Sequence, residues 1–549
     1  MKRFGLFLAL FLAALIPAFF PTASSQLKLA SEERAVTLLP GVGNIRHTVS
    51  TNNAEAQRFF DQGLNLIYAF NHEEAIRSFR RASELDPKLA MAHWGIALAL
   101  GPNINLDVDP ERERAAFEAV QKARSLAVNA PPEERALIEA LAKRYSIDPA
   151  ADLKKLAVDY KNAMGEVVKR YPDDLDAATL YAESAMDLRP WQYWDKQGRP
   201  AEGTEEIVAV LESVLRRNPN HMGAIHYYIH AVEASTNPER ALTYAPKLPV
   251  LAPASGHLVH MPAHIYIRTG DYEQAALSNK AGAEADQALF KITGTGGMYP
   301  VMYYNHNLHF LAIAHAMQGR FADALAASRA LEDNVGPHVH MMPMLEGFMA
   351  TSQLMLVRFR RWDDILKLPQ PDAKMLAVNA VWHFARGMAQ AAKGNRAEAE
   401  RELKMLIEGA KAVPAEAAFG LNSASNVLKI AEQVLSARLF VLQRDYKAAV
   451  ESLKKGVEME DALAYDEPPG WFLPVRESLG GALLLSGNGA EAEKVFRTDL
   501  EKNLRSGRAL FGLSESLKAQ GKRYAAAMVQ REFEQAWKNA DTQLRVEDL

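Results

Sequence analysis

Two apolar stripes separated by a polar turn run through residues 59–87, "FFDQGLNLIYAFNHEEAIRSFRRASELDP". Their apolar positions recur at helical rather than alternating spacing, which predicts two amphipathic helices. Small residues gather around Gly63 in the first, and a turn falls at Asn71. Ala75, Phe79 and Ala82 mark the buried face of the second, and Pro87 closes it. The pattern returns at 261–286, 312–331, 387–406, 480–500 and 514–533. Ala241 and Ala275 stand 34 residues apart, as do Ala492 and Ala526. Longer gaps, 49 residues from Ala275 to Ala324 and 50 from Ala399 to Ala449, mark inserts such as "KITGTGGMYP" at 291–300. No strand pattern competes, so the predicted class is all-α.

The spacing of Gly63, Ala75, Phe79, Ala82 and Pro87 resembles the tetratricopeptide repeat, whose period is about 34 residues. The resemblance covers about residues 54–536. It is strong at the first repeat and from 219 onward, and weaker over 110–218. It implies a right-handed solenoid of helical hairpins, each burying its apolar face against its neighbours and together forming a concave groove. On this reading 54–218 holds N-terminal repeats, 219–335 histidine-rich repeats and 336–549 C-terminal repeats.

The N-terminus changes the picture of where this solenoid works. Lys2 and Arg3 precede the apolar "FGLFLALFLAALIPAFF", and the small, polar "PTASSQ" follows. A basic head, an apolar middle and a small-residue exit describe an export signal over 1–25, leaving 26–53 as an extension. The expected compartment is periplasmic or secreted. No later segment is long and apolar enough to span a bilayer, so no membrane contact is expected after cleavage. Cysteine is absent, which excludes disulfides, thiolate zinc, iron–sulfur clusters and thioether-linked haem. The formal net charge is −4, with no basic stripe, which argues against nucleic acid as a partner.

Histidine is where the chemistry concentrates. Of fifteen in the chain, three fall in "HLVHMPAH" (257–264). At about 100° per residue, His257, His260 and His264 share a sector of roughly 60° on one helix face. Set in the repeat register between Pro253 and Ala275, they occupy the second, fifth and ninth places of a first helix. The resemblance implies that this face lines the groove. In the preceding repeat His226 and His230 fall fifth and ninth, with Glu233 twelfth; in the following one His306 and His309 fall second and fifth. Seven histidines and a carboxylate are thus expected to point together from three consecutive helix pairs. Clustered imidazoles without a cation leave ring nitrogens wanting partners, so the expectation is a transition-metal site, with copper, zinc or iron as the ion. Glu233 is the candidate catalytic acid/base, with Tyr227, Tyr228 and Tyr304 as further candidates.

Other signals are weaker. "NINLDVDPERE" (103–113) lacks the glycine and the glutamate of a calcium loop and reads as a turn with Asp109 capping a helix from Pro110. "GTGG" (294–297) reads as a flexible insert, and "HVHMMPM" (338–344) adds thioethers near the histidines in sequence. The aromatic loops 189–200 and 465–474 read either as the rim of a ligand site or, by default, as solvent-side packing. Three function classes follow: a metal-dependent hydrolase or oxidoreductase acting on a small molecule or peptide in the groove, a metal carrier, and an interaction scaffold.

Overall fold

A computed structural model describes residues 34–549; the segment read as an export signal lies outside the described residues. The helices Ala54–Tyr68 and His72–Leu85 form the first antiparallel pair. Asn53 starts it, its side-chain oxygen accepting from the backbone N–H groups of Glu55 and Ala56 at 3.0 and 3.2 Å, which satisfies donors the first turn leaves open. Asn71 caps the second helix in the same way. Asp109 accepts from Glu111 and Arg112 at the start of Pro110–Leu126, as the sequence predicts.

Glycines show why the repeat pattern needs small residues. A Cβ at Gly63 would stand 2.6 Å from the Phe79 ring, and one at Gly95, in the next helix, 2.5 Å from it. Phe79 therefore fills a slot that two glycines open between successive pairs. Near the other end Phe496 fills the same slot between Gly480 and Gly512, at 2.3 and 2.2 Å. The regular pairs Leu376–Ala392 with Arg396–Ala412, Ala424–Leu442 with Tyr446–Ala462, Val475–Leu485 with Gly489–Lys502 and Gly507–Ala519 with Arg523–Ala536 continue the array. The all-α, tetratricopeptide-like solenoid is the fold. Among the described residues the strands are Ala418–Phe419 and Asn422–Ser423, one two-residue antiparallel pair, and no helix is long and apolar enough to cross a membrane.

Two expectations need correction. Ala241 is fully buried but opens no regular second helix. The stretch forms 3₁₀ turns at Pro238–Thr243 and Ala245–Lys247 and one short helix, Leu248–Leu251. Pro238, Pro246 and Pro249 remove three N–H donors there, and a continuous helix is denied its ladder. The insert around 291–300 is mostly not a loop either. The helices Tyr272–Thr293 and Met298–Met317 extend into it from both sides, leaving a turn at Gly294–Gly297. Both glycines take positive φ, 67° and 80°.

Residues 34–53 run as a strap along the first helix. Gln62 accepts from Leu39 N–H, and Asn65 both accepts from Ile45 N–H and donates to its carbonyl. The strap also reaches the middle of the chain, where Ser255 donates to the Val42 carbonyl. One large apolar core gathers the N-terminal half and a second the C-terminal half. The histidine-bearing helices lie where the two meet.

Candidate metal centre

The helix Met222–Val232 carries His226 and His230 and ends at Glu233. The next helix is split: Gly256–His260 stops at Met261, and Pro262–Arg268 begins a new one. Pro262 has no N–H to give the carbonyl four residues back, so the helical hydrogen-bond ladder is broken between His260 and His264. Met298–Met317 brings His306 in from the following pair.

These six imidazoles form two sets of three. In the first, one nitrogen each from His226, His230 and His257 lies within 4.8 Å of the other two; in the second the same holds for His260, His264 and His306. The Nε2 atoms of His226 and His257 are 3.0 Å apart, those of His260 and His264 2.9 Å, and those of His264 and His306 3.5 Å. Two nitrogens on one tetrahedral ion, each at about 2.05 Å, are about 3.3 Å apart. The observed separations bracket that value.

Four of the opposite ring nitrogens are held by protein acceptors, while His257 Nδ1 is buried without a hydrogen-bond partner. His226 Nδ1 meets the Tyr68 carbonyl at 2.7 Å, and His260 Nδ1 meets the Asn279 side-chain oxygen at 2.6 Å. Glu233 serves two rings at once, with Oε1 on His230 Nδ1 at 2.8 Å and Oε2 on His264 Nδ1 at 2.5 Å. Glu467 adds a second carboxylate 2.9 Å from His264 Nδ1. An acceptor at Nδ1 keeps the proton there and leaves the Nε2 lone pair free for an ion. His230 Nε2 has no hydrogen-bond partner although it is buried, a vacancy that a cation would fill.

Electrostatics divide the rings. Burial first, and then their imidazole neighbours, hold His226, His257, His260 and His306 well below the usual histidine range; burial and His264 do the same to His230. These five are neutral and able to donate lone pairs. Burial also pulls on His264, but Glu233 and Glu467 outweigh it and push it up to about 10. An arriving ion must therefore displace a proton from His264.

The cluster is enclosed rather than open to a groove. His226, His230, His257, His260, His264 and Glu233 are all buried, and His306 is half-buried. Trp191, from the aromatic loop 189–200, sets its edge on His230 with ring centroids 5.4 Å apart. Glu467 arrives from the other aromatic loop. Of the two readings of these loops, the rim of the site is the one their contacts with His230 and His264 favour over solvent-side packing.

Three expected participants stand elsewhere, His309, Tyr228 and Tyr304. His309 belongs to neither set; it packs against Phe348 and Phe472, and burial lowers it to about 4. Tyr228 donates to Glu212 and Tyr304 accepts from Gln287, both away from the rings. Tyr227 stacks on His226, its hydroxyl pushed well above its ordinary value by burial. Glu233, expected as an acid/base, has both oxygens committed to imidazole nitrogens. In 338–344, His340 pairs at the surface with Asp372, and Met341 and Met344 are exposed. Sequence reasoning missed Glu467, Asn279, Trp191 and the Tyr68 carbonyl. No spacing signal links them to the histidines, because each comes from a different repeat or loop.

No protein-family profile and no curated protein matches the chain. Among solved structures it is similar to a human IFIT1 dimer with m7Gppp-AAAA (13% identity, 89% of this chain and 91% of that one, TM-score 0.34). It is also similar to yeast Tom70 (12%, 87% and 90%, 0.30) and to the P58(IPK) TPR domain (11%, 85% and 99%, 0.21). The repeat fold itself is read from this chain's own helix pairs and the glycine–phenylalanine slots between them.

Proposed function

We propose that this protein is an exported metalloprotein in which a tetratricopeptide-like solenoid encloses a transition-metal centre for hydrolytic or oxidative chemistry on a small molecule. One observation carries the reading: imidazoles from three repeats converge through Nε2 while protein acceptors hold Nδ1 of His226, His230, His260 and His264. That division of labour between ligand nitrogen and oriented backside is what metal-binding histidines require. Sets of three favour chemistry over storage, since a three-ligand site keeps a coordination position open. Enclosure favours a resident ion over exchangeable cargo. It also favours a small substrate over a peptide at the ion itself. Glu233 acts here as a positioning group. The regular pairs from Leu376 to Ala536 support a second reading, an interaction scaffold, which is compatible with the first.

Metal analysis of protein purified without affinity resins or chelators tests the proposal. Copper, zinc or iron at or above one equivalent is expected, with loss of melting temperature on chelation and recovery on adding back the ion. Metal-free protein that neither binds these ions nor responds to chelator overturns it. Export is checked by N-terminal sequencing of protein from the envelope fraction; intact Met1 in the cytosol overturns that part.

A further inference from the structure

We infer that the centre holds two ions side by side: His226, His230 and His257 take one, His260, His264 and His306 take the other, and Glu233 couples them. The inference rests on the metal-binding reading and adds nuclearity and the coupling residue. A mononuclear protein site uses three or four ligands, and six converging imidazoles exceed that. The alternative, one ion with three spare histidines behind it, does not match how the rings are arranged.

Ligand atoms of His230, Glu233 and His264 also lie within 4.8 Å of one another and span the two sets, yet each set of three imidazoles is complete by itself. The Phe70 ring packs on all three rings of the first, at centroid distances of 4.5 Å to His226, 6.2 Å to His230 and 5.3 Å to His257. Phe310 packs on all three rings of the second, at 5.2, 4.9 and 5.1 Å from His260, His264 and His306. Each set therefore has its own apolar wall, and in each set two rings are oriented by an acceptor at Nδ1. The two sets are also adjacent: His230 and His264 lie 5.3 Å apart by ring centroids, and His257 and His260 5.7 Å. Those distances fall within the range found inside a set, 4.7 Å for His260–His264 to 6.3 Å for His230–His257.

Glu233 sits behind this seam with one oxygen on a ligand of each ion. Filling either site fixes its carboxylate against the ring that serves the other. The carboxylates stand behind the rings, so each ion meets neutral nitrogen donors. Such a set suits the imidazole-preferring late divalent ions, copper and zinc, over magnesium, calcium or manganese.

Titration of the chelator-stripped full chain with zinc, and separately with copper(II), tests the inference. Two equivalents are expected to bind, and the copper(II) form should show the broadened or diminished paramagnetic signal of neighbouring ions. His257→Gln and His306→Gln each change one set and should each leave one equivalent; the double variant should leave none. Helical content read by circular dichroism must stay at the wild-type level in each. Glu233→Gln should weaken binding at the first site by about 10–100-fold, and less at the second, where Glu467 still faces His264. One equivalent in the wild type, or loss of all metal from either single variant, overturns the two-ion inference and leaves the metal-binding reading standing. No binding of either ion overturns both.

Discussion

Asp176 shows how much one side chain can tie together. It accepts from His47 at 3.0 Å and from Tyr68 at 2.7 Å, and His221 stands 3.2 Å away. The Tyr68 carbonyl in turn meets His226 Nδ1, so the N-terminal strap is linked to the histidine cluster through one tyrosine. Burial opposes a charge on His47, but Asp176 outweighs it and raises the imidazole to about 8, while His221 and His47 hold Asp176 well below its ordinary value. A histidine raised on folding stabilises fully below its unfolded value near 6.5 and loses that contribution as pH climbs through 8. The shift corresponds to about 2 kcal/mol. Thermal melts of His47→Gln against wild type should differ most near pH 6 and converge above pH 9; a constant difference contradicts the assignment. Gly63 makes a steric case at the same scale. Gly63→Ala puts a methyl 2.6 Å from Phe79 and should cost about 1–3 kcal/mol in urea unfolding. Adding Phe79→Leu should return part of that loss, because the slot then has room.

Helices are where the sequence was most legible and where it began to fail. The small-residue ridge at Gly63, the caps at Asn71 and Asp109 and the phenylalanine slots are local, so spacing alone reveals them. The shared register of His226, His230, His257, His260, His264 and His306 follows from the same periodicity. The groove did not follow, because open or closed depends on loops hundreds of residues away. Glu467 lies 203 positions after His264, and nothing in "YDEPPGWFLP" announces that it turns toward an imidazole. His309 misled for a related reason: the register gave its face, but the neighbouring Phe348 and Phe472 decided its surroundings. Pro238, Pro246 and Pro249 were visible, yet the repeat spacing outweighed them in the reading. The split at Pro262 offers a test at this scale. Pro262→Ala restores the missing donor, so the helix from Gly256 to Arg268 should become continuous, with a small gain in helical signal. The ion held by His260, His264 and His306 should then bind at least about tenfold more weakly, as misoriented ligands do, while the other set keeps its ion. Unchanged affinity at both sites would show that the break serves packing alone.

Across the whole molecule, the histidine cluster lies where the N-terminal and C-terminal cores meet. Its imidazoles come from the Met222–Val232 helix, the split helix and Met298–Met317, while Glu467 reaches it from the C-terminal half. In a solenoid each pair is stabilised by its neighbours, so the halves are free to unfold in separate steps. Two ions, each cross-linking two consecutive pairs, would remove that freedom. Binding to the folded form adds about 4 kcal/mol when free metal exceeds its dissociation constant a thousandfold. Calorimetry should therefore show a broad or two-step transition without metal and a sharper, later one with it. His260→Ala should remove only the part of the metal response that its own set supplies, leaving the response of His226, His230 and His257 in place. Ligation takes a proton from His264, which Glu233 and Glu467 hold up to about 10 against the pull of burial, so this gain should grow as pH rises toward 10, whereas the His47–Asp176 contribution fades as pH rises through about 8. The metal-loaded protein should consequently reach its stability optimum at a higher pH than the stripped protein. Identical pH profiles with and without metal would mean that the enclosed imidazoles hold no ion, leaving their unpartnered nitrogens as a cost the fold bears for another reason.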